Sequence, residues 1–177
     1  MSPDGRLLAY TQGYPATSTL VVRDLRDDTE RRWLFPEGHE VQRPSWAPDS
    51  RHLAISDVAG ADRRTVIFDT EAPDGAVPAQ PSLRGPFQLA TFRGGSGTLV
   101  ATGAAAPSGY QVVEIDPSTG ASHAVYTTPF LVKEMDADAS GEHFLLVTDA
   151  SALYVWSNGS VYQVFAGVLD AEWSVSR

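Results

Sequence analysis

An all-β fold built by repetition is the class this sequence predicts, and three observations carry it. One segment recurs: Ser2-Pro3-Asp4-Gly5-Arg6-Leu7-Leu8-Ala9-Tyr10 returns as Ala47-Pro48-Asp49-Ser50-Arg51-His52-Leu53-Ala54-Ile55, then more loosely at 93–101 and 138–146. Aligned on the turn, the equivalent positions are Asp4, Asp49, Gly95 and Ser140, giving steps of 45, 46 and 45 residues. A fixed period of this size marks a repeat architecture. Within each copy, short β-rich runs alternate with turn residues. Finally, 12 prolines and 15 glycines interrupt the chain too often for long helices, and no stretch shows a capped helical period.

Each copy decomposes in the same order. After the turn comes an apolar run: Leu7 to Thr11, His52 to Ser56, Thr98 to Thr102 and Phe144 to Thr148. A polar or glycine-rich connector leads to a second run: Thr19 to Leu25, Thr65 to Thr70, Tyr110 to Asp116 and Ala152 to Ser157. In Tyr110-Gln111-Val112-Val113-Glu114-Ile115 the side chains alternate between two faces, as a strand requires. A short turn follows, such as Asp116-Pro117-Ser118-Thr119-Gly120 or Asn158-Gly159, and then a third strand, clearest at Arg31 to Phe35, His123 to Thr128 and Val161 to Ala166. One more strand precedes each internal turn and carries Ser45-Trp46, Thr91-Phe92 or Asp136-Ala137.

Four strands in about 40–45 residues is the pattern of a β-propeller blade. The sequence thus predicts a single propeller domain over 1–177, with blades at about 2–36, 40–83, 86–128 and 131–167 and a closing inner strand at 168–177. The turn residues have a physical logic. Proline presets the first corner, Asp4 and Asp49 bond their own backbone two residues on, and Gly5 and Ser50 admit the tight exit. Trp46, Phe92 and Trp173 are expected to fill the space between blades, with Ala9, Ala54 and Ala101 packed against the next sheet. Trp173 aligns with Trp46, so the last strand is expected either to begin a fifth blade or to complete the first by pairing with Leu7 to Thr11, in the same chain or in a second copy. The second arrangement gives a homodimer of eight blades, a usual propeller number.

The two best turns carry a resemblance. Ser45-Trp46-Ala47-Pro48-Asp49-Ser50-Arg51-His52-Leu53-Ala54 and Ser2-Pro3-Asp4-Gly5-Arg6-Leu7-Leu8-Ala9 resemble the PD40, or TolB-like, propeller repeat, which is itself WD40-like. The third and fourth copies carry Gly94-Gly95 and Ala139-Ser140 in place of the Pro-Asp pair. The resemblance implies bacterial interaction modules, or substrate-gating propellers attached to serine peptidases of the prolyl oligopeptidase type. Propellers of this kind have six to eight blades, more than the four copies here.

Composition narrows the function. The formal charge of −9 argues against nucleic acid, because phosphate binding needs a basic face. Arg23, Arg26, Arg31 and Arg32 are interleaved with Asp24, Asp27, Asp28 and Glu30, which describes a mixed-sign solvated face. With no cysteine, thiolate chemistry and disulfides drop out. No apolar run approaches the roughly 20 residues that span a bilayer, and the amino terminus lacks the basic and apolar regions of a secretory signal.

The sequence carries no complete catalytic or metal-binding motif. Gly94-Gly95-Ser96-Gly97 imitates a nucleophile elbow, yet Thr98-Leu99-Val100-Ala101 continues as strand where the elbow needs a helix. The four histidines, His39, His52, His123 and His143, show no metal-ligand spacing. The acidic groups Asp136-Ala137-Asp138 and Arg26-Asp27-Asp28 do not meet the calcium-loop pattern. Most aromatic residues, among them Trp33, Trp156, Tyr154 and Phe68, fall in strands where blade packing explains them, and a few could line a peptide- or sugar-binding face. The expectation is a non-catalytic propeller that binds a protein or peptide and needs no cofactor. The alternative is the regulatory propeller of a prolyl oligopeptidase-like hydrolase.

Overall fold

The structure is a computed structural model and describes residues 1–13, 17–76, 82–84, 87–94, 96–104, 109–138, 140, 142–157 and 159–168. Among these residues there is no helix. Sixteen strands among the described residues form four sheets. The chain divides into two compact units, Met1–Gln88 and Leu89–Arg177.

In the first unit, β1 (Leu7–Gln12), β2 (Thr19–Asp24) and β3 (Glu30–Leu34) form an antiparallel meander. Beside it, β4 (His39–Trp46), β5 (His52–Ala59) and β6 (Asp62–Asp69) form another, closed on its outer side by β8 (Ser82–Arg84). The first sheet departs from the expected antiparallel blade. Its fourth strand is β7 (Gly75–Ala76), which reaches back from the β6–β8 connection and pairs parallel with β3, Trp33 opposite Gly75. Thus the first sheet is mixed, and β1 stands at its edge among the described residues. The segment 168–177, with Trp173 and the expected closing strand, lies almost wholly outside the described residues.

Two apolar faces meet between these sheets. Leu20, Val22 and Trp33 of one pack on Leu53, Ile55, Val66 and Phe68 of the other, with Phe35 and Val41 filling the ends. Trp33 is wholly buried and meets Phe68 edge-on, ring centroids 4.9 Å apart. Edge-to-face geometry sets the positive rim of one ring on the negative face of the other. Trp46 is half-buried against the same core, and Ala54 is fully buried.

The second unit repeats the scheme with two regular sheets. One contains β9 (Phe87–Phe92), β10 (Leu99–Ala104), β11 (Tyr110–Ile115) and β12 (Ser122–Thr128); the other contains β13 (Val132–Ala137), β14 (His143–Thr148), β15 (Ala152–Ser157) and β16 (Ser160–Ala166). Leu89, Val100 and Val112 face Val132, Phe144, Leu146 and Trp156. Phe144 and Trp156 lie 5.2 Å apart at 56°. Phe92 and Ala101 are buried.

Candidate functional site

The residues marked out by the repeat motif build turns. The Asp4 carboxylate accepts from the Ser2 hydroxyl at 2.6 Å and the Arg6 amide at 3.1 Å, and Gly5 supplies the φ of +72° that the corner needs. Asp49 does the same for the amides of Arg51 and His52, with Ser50 at φ +57°. The basic residue after each of these two turns reaches the aspartate that ends the second strand following it: Arg6 Nε to Asp24 of β2 at 2.6 Å, Arg51 Nε to Asp69 of β6 at 2.9 Å. That guanidinium, hydrogen-bonded to Asp69, draws its carboxyl down to about 2.

In the fourth copy the residue aligned with Asp49 is Ser140, but the turn is capped by Asp138, two positions earlier. Its Oδ1 accepts from the amides of Glu142 and His143, and its Oδ2 from Ser140 Oγ at 2.7 Å. Burial acts to raise the Asp138 carboxyl, yet the Ser140, His143 and Glu142 donors outweigh it and hold it at about 2. In the third copy Ser96 Oγ takes this place, donating to the Arg93 carbonyl and accepting from the Thr98 amide. Ser96 is therefore a turn residue followed by a strand.

Every histidine lies against a carboxylate: His39 on Asp57 at 2.8 Å, His52 on Asp49, His123 on Glu114 and His143 on Asp138. Among the described residues no three His, Cys, Asp or Glu side chains gather as a metal cluster. The most buried of these carboxylates is Asp57, 1% exposed, which takes His39 Nδ1 on one oxygen and the Arg64 guanidinium on the other at 2.6–2.8 Å. Sequence spacing gave no sign of this network, because its members come from three strands.

The place equivalent to that network in the second unit is quite different. Counting seven residues back from Ala137 as from Trp46, Phe130 stands where His39 does, and Thr148 stands where Asp57 does, five residues past its histidine. The strand registers make Ala152 the counterpart of Arg64, and Tyr154 that of Val66. In place of those charges lies a small, solvent-open cleft of about 30 Å³, lined by Tyr126, Thr128, Phe130, Val132, Leu146, Thr148, Tyr154 and Val161. Phe130 and Tyr154 stack at its mouth with centroids 6.3 Å apart, and Phe130 is 37% exposed. The amide of Phe130 donates to Thr128 Oγ1 at 3.1 Å, which fixes the turn that carries the ring. Of these aromatics the sequence reading named only Tyr154. Phe130 and Tyr126 were missed because their role depends on what their counterparts do in the first unit. A concave, mainly apolar surface with a few hydroxyls is the kind that takes a ligand side chain.

No protein family and no curated protein matches the chain by sequence. Solved structures do. TolB from Acinetobacter baumannii superposes with a TM-score of 0.72 at 17% identity, covering 95% of this chain and 43% of that one. The fold is a TolB-like, WD40-like propeller fold. The WD40 domain of Toxoplasma gondii coronin matches with a TM-score of 0.63 at 14% identity, over 90% of this chain and 43% of that one. Pyrococcus horikoshii acylaminoacyl peptidase matches with a TM-score of 0.62 at 17% identity, over 93% and 31%. The chain spans less than half the length of each of these propeller-containing chains. No helix among the described residues is long and apolar enough to cross a membrane.

Proposed function

We propose that this chain is a non-catalytic propeller module, part of a larger bacterial protein, that binds a protein or peptide through the aromatic cleft of its second unit. The observation that carries this reading is the cleft itself: three aromatic rings and three aliphatic side chains stand where the equivalent place in the first unit is occupied by the His39–Asp57–Arg64 network. Rigid rings lose little conformational entropy on binding, which makes such a surface an efficient contact. Selection of binders from a displayed random-peptide library, followed by affinity measurement on Phe130→Ala and Tyr154→Ala, tests it. Binders that lose about tenfold or more on both variants support the reading; binders indifferent to both substitutions overturn it.

Similarity to an acylaminoacyl peptidase keeps a second reading in play, a substrate-gating propeller of a prolyl oligopeptidase-like hydrolase. An α/β-hydrolase segment in the same reading frame would favour it. In either case a two-fold pairing of the 171–175 segment with β1 of a second copy remains our proposal for assembly.

A further inference from the structure

The first unit contains a peptide-recognition event within its own chain. The connection from β6 to β8 does not turn tightly; its residues 70–76 run along the outer edge of the first sheet. Arg31 donates to the carbonyls of Thr70 and Ala72, both at 2.5 Å, and pairs with Asp74 at 3.1 Å. Trp33 Nε1 donates to the Pro73 carbonyl at 2.8 Å. Gly75 then lies opposite Trp33 in a parallel pairing, with a φ of +112° that favours glycine. The segment Ala72-Pro73-Asp74-Gly75-Ala76 is thus held by an edge strand, an aromatic donor and a cationic donor.

The second unit has an equivalent edge with no such segment among the described residues. Its fourth-copy connection is the short turn between β15 and β16, and β12 ends its sheet. Register sets Trp33 opposite Leu20 and Tyr126 opposite Val112, each four residues before the aspartate that follows, so Tyr126 occupies the Trp33 position. By the same ladder His123, opposite Glu114, occupies the position of Arg31, opposite Val22. Tyr126 keeps a hydrogen-bond donor, whereas His123 Nε2 is engaged with Glu114 at 3.3 Å. Phe35, buried in the first core, becomes Thr128, and the ring that is lost leaves space beside Tyr126 that forms part of the cleft.

We propose that the β12 edge and its adjoining cleft take up, from another molecule, an extended segment of the Xaa-Pro-Xaa-Gly class, in the manner in which β3 takes up residues 70–76. This inference rests on the peptide-binding reading above and specifies its ligand and its geometry. The edge strand supplies backbone pairing, as in strand addition generally. Tyr126 supplies a hydroxyl donor to a ligand carbonyl. A proline-bearing segment is already extended before binding, so less entropy is lost on docking.

The test uses the whole chain labelled with ¹⁵N and an acetylated, amidated peptide of the sequence Glu71 to Val77, beside its counterpart with alanine for proline. The expected result is a saturable shift of backbone amides between His123 and Thr128 and at Phe130. The amides of β3 stay unmoved, because the tethered segment there competes at high effective concentration. Tyr126→Phe, which keeps the ring, is expected to weaken binding about five- to tenfold, and the alanine peptide to bind more weakly than the proline one. Saturation with no shift along β12, or equal affinity for Tyr126→Phe and the parent chain, overturns the proposal. If library-selected peptides shift Phe130 and Tyr154 while leaving 123–127 unmoved, the cleft reading stands and this edge mode fails. If nothing shifts either region, both fail.

Discussion

Replacing Trp33 by alanine tests whether the first pair of sheets is held together from its rim. The indole is fully buried, meets Phe68 edge-on at 4.9 Å and donates to the Pro73 carbonyl at 2.8 Å. Removing a buried tryptophan side chain forfeits roughly 150–200 Å² of apolar contact, about 4–5 kcal/mol at about 25 cal/mol per Å². The lost hydrogen bond adds about 1 kcal/mol, offset where collapse of the site refills the void. A net loss of about 4–5 kcal/mol is expected, against a total of about 5–15 kcal/mol for a domain. Urea unfolding followed by circular dichroism measures it, with the slope showing whether the unfolded reference has changed. Trp33→Phe keeps most of the area and gives up the donor, so about 1–2 kcal/mol is expected, with faster hydrogen exchange at Gly75 and Ala76. An alanine variant that loses less than about 1 kcal/mol at unchanged slope would refute the reasoning: the rim contact would then be decoration on sheets held elsewhere.

Further outcomes follow from other sites. Asp57→Asn, which strips the partner from Arg64 and His39 in a buried setting, is expected to cost roughly 3–5 kcal/mol in thermal or urea unfolding. Asp138→Ala removes the acceptor for two backbone amides and is expected to cost about 1–3 kcal/mol, whereas Ser140→Ala at the aligned position costs less. Asp69 and Asp138 both have folded pKa values of about 2, below the ordinary 3.8, so their contribution is complete above that value. It is lost as pH falls from 3.8 towards about 2, and Asp69→Asn with Asp138→Asn is expected to flatten the acid limb of stability measured by unfolding midpoint against pH. Light scattering at micromolar concentration separates one chain from two, and a dimer that survives deletion of residues 169–177 would exclude pairing through that segment.

The strand plan was legible because turn residues and alternation act locally. The second strand of the fourth copy, Ala152 to Ser157, coincides with β15, and Thr19 and Tyr110 open β2 and β11 as expected. What could not be read depends on neighbours distant in sequence. Nothing in Asp74-Gly75-Ala76 announces that it will pair with β3, because the cause is Arg31 and Trp33, some forty residues earlier. Asp138 escaped for a different reason. Alignment compares positions, whereas a hydrogen bond requires only an acceptor within reach, and a carboxylate two residues earlier meets that need. The cleft depends on what fills each equivalent place, Phe130 in one copy and His39 in another, and no single copy carries that contrast.

The backward reach of residues 70–76 has a consequence for how such a chain can be cut and recombined. A gene segment encoding the second repeat, moved alone, would carry away the strand that finishes the first repeat's sheet and leave Trp33 facing water. The smallest piece of this first half that can be duplicated, deleted or transplanted without an orphaned edge is therefore a pair of repeats. The two compact units, at Met1–Gln88 and Leu89–Arg177, have that size. Inheritance by doublets predicts that engineered shuffling will tolerate joints near residue 88 and reject joints near residue 38, an asymmetry that a library of permuted fusions would reveal.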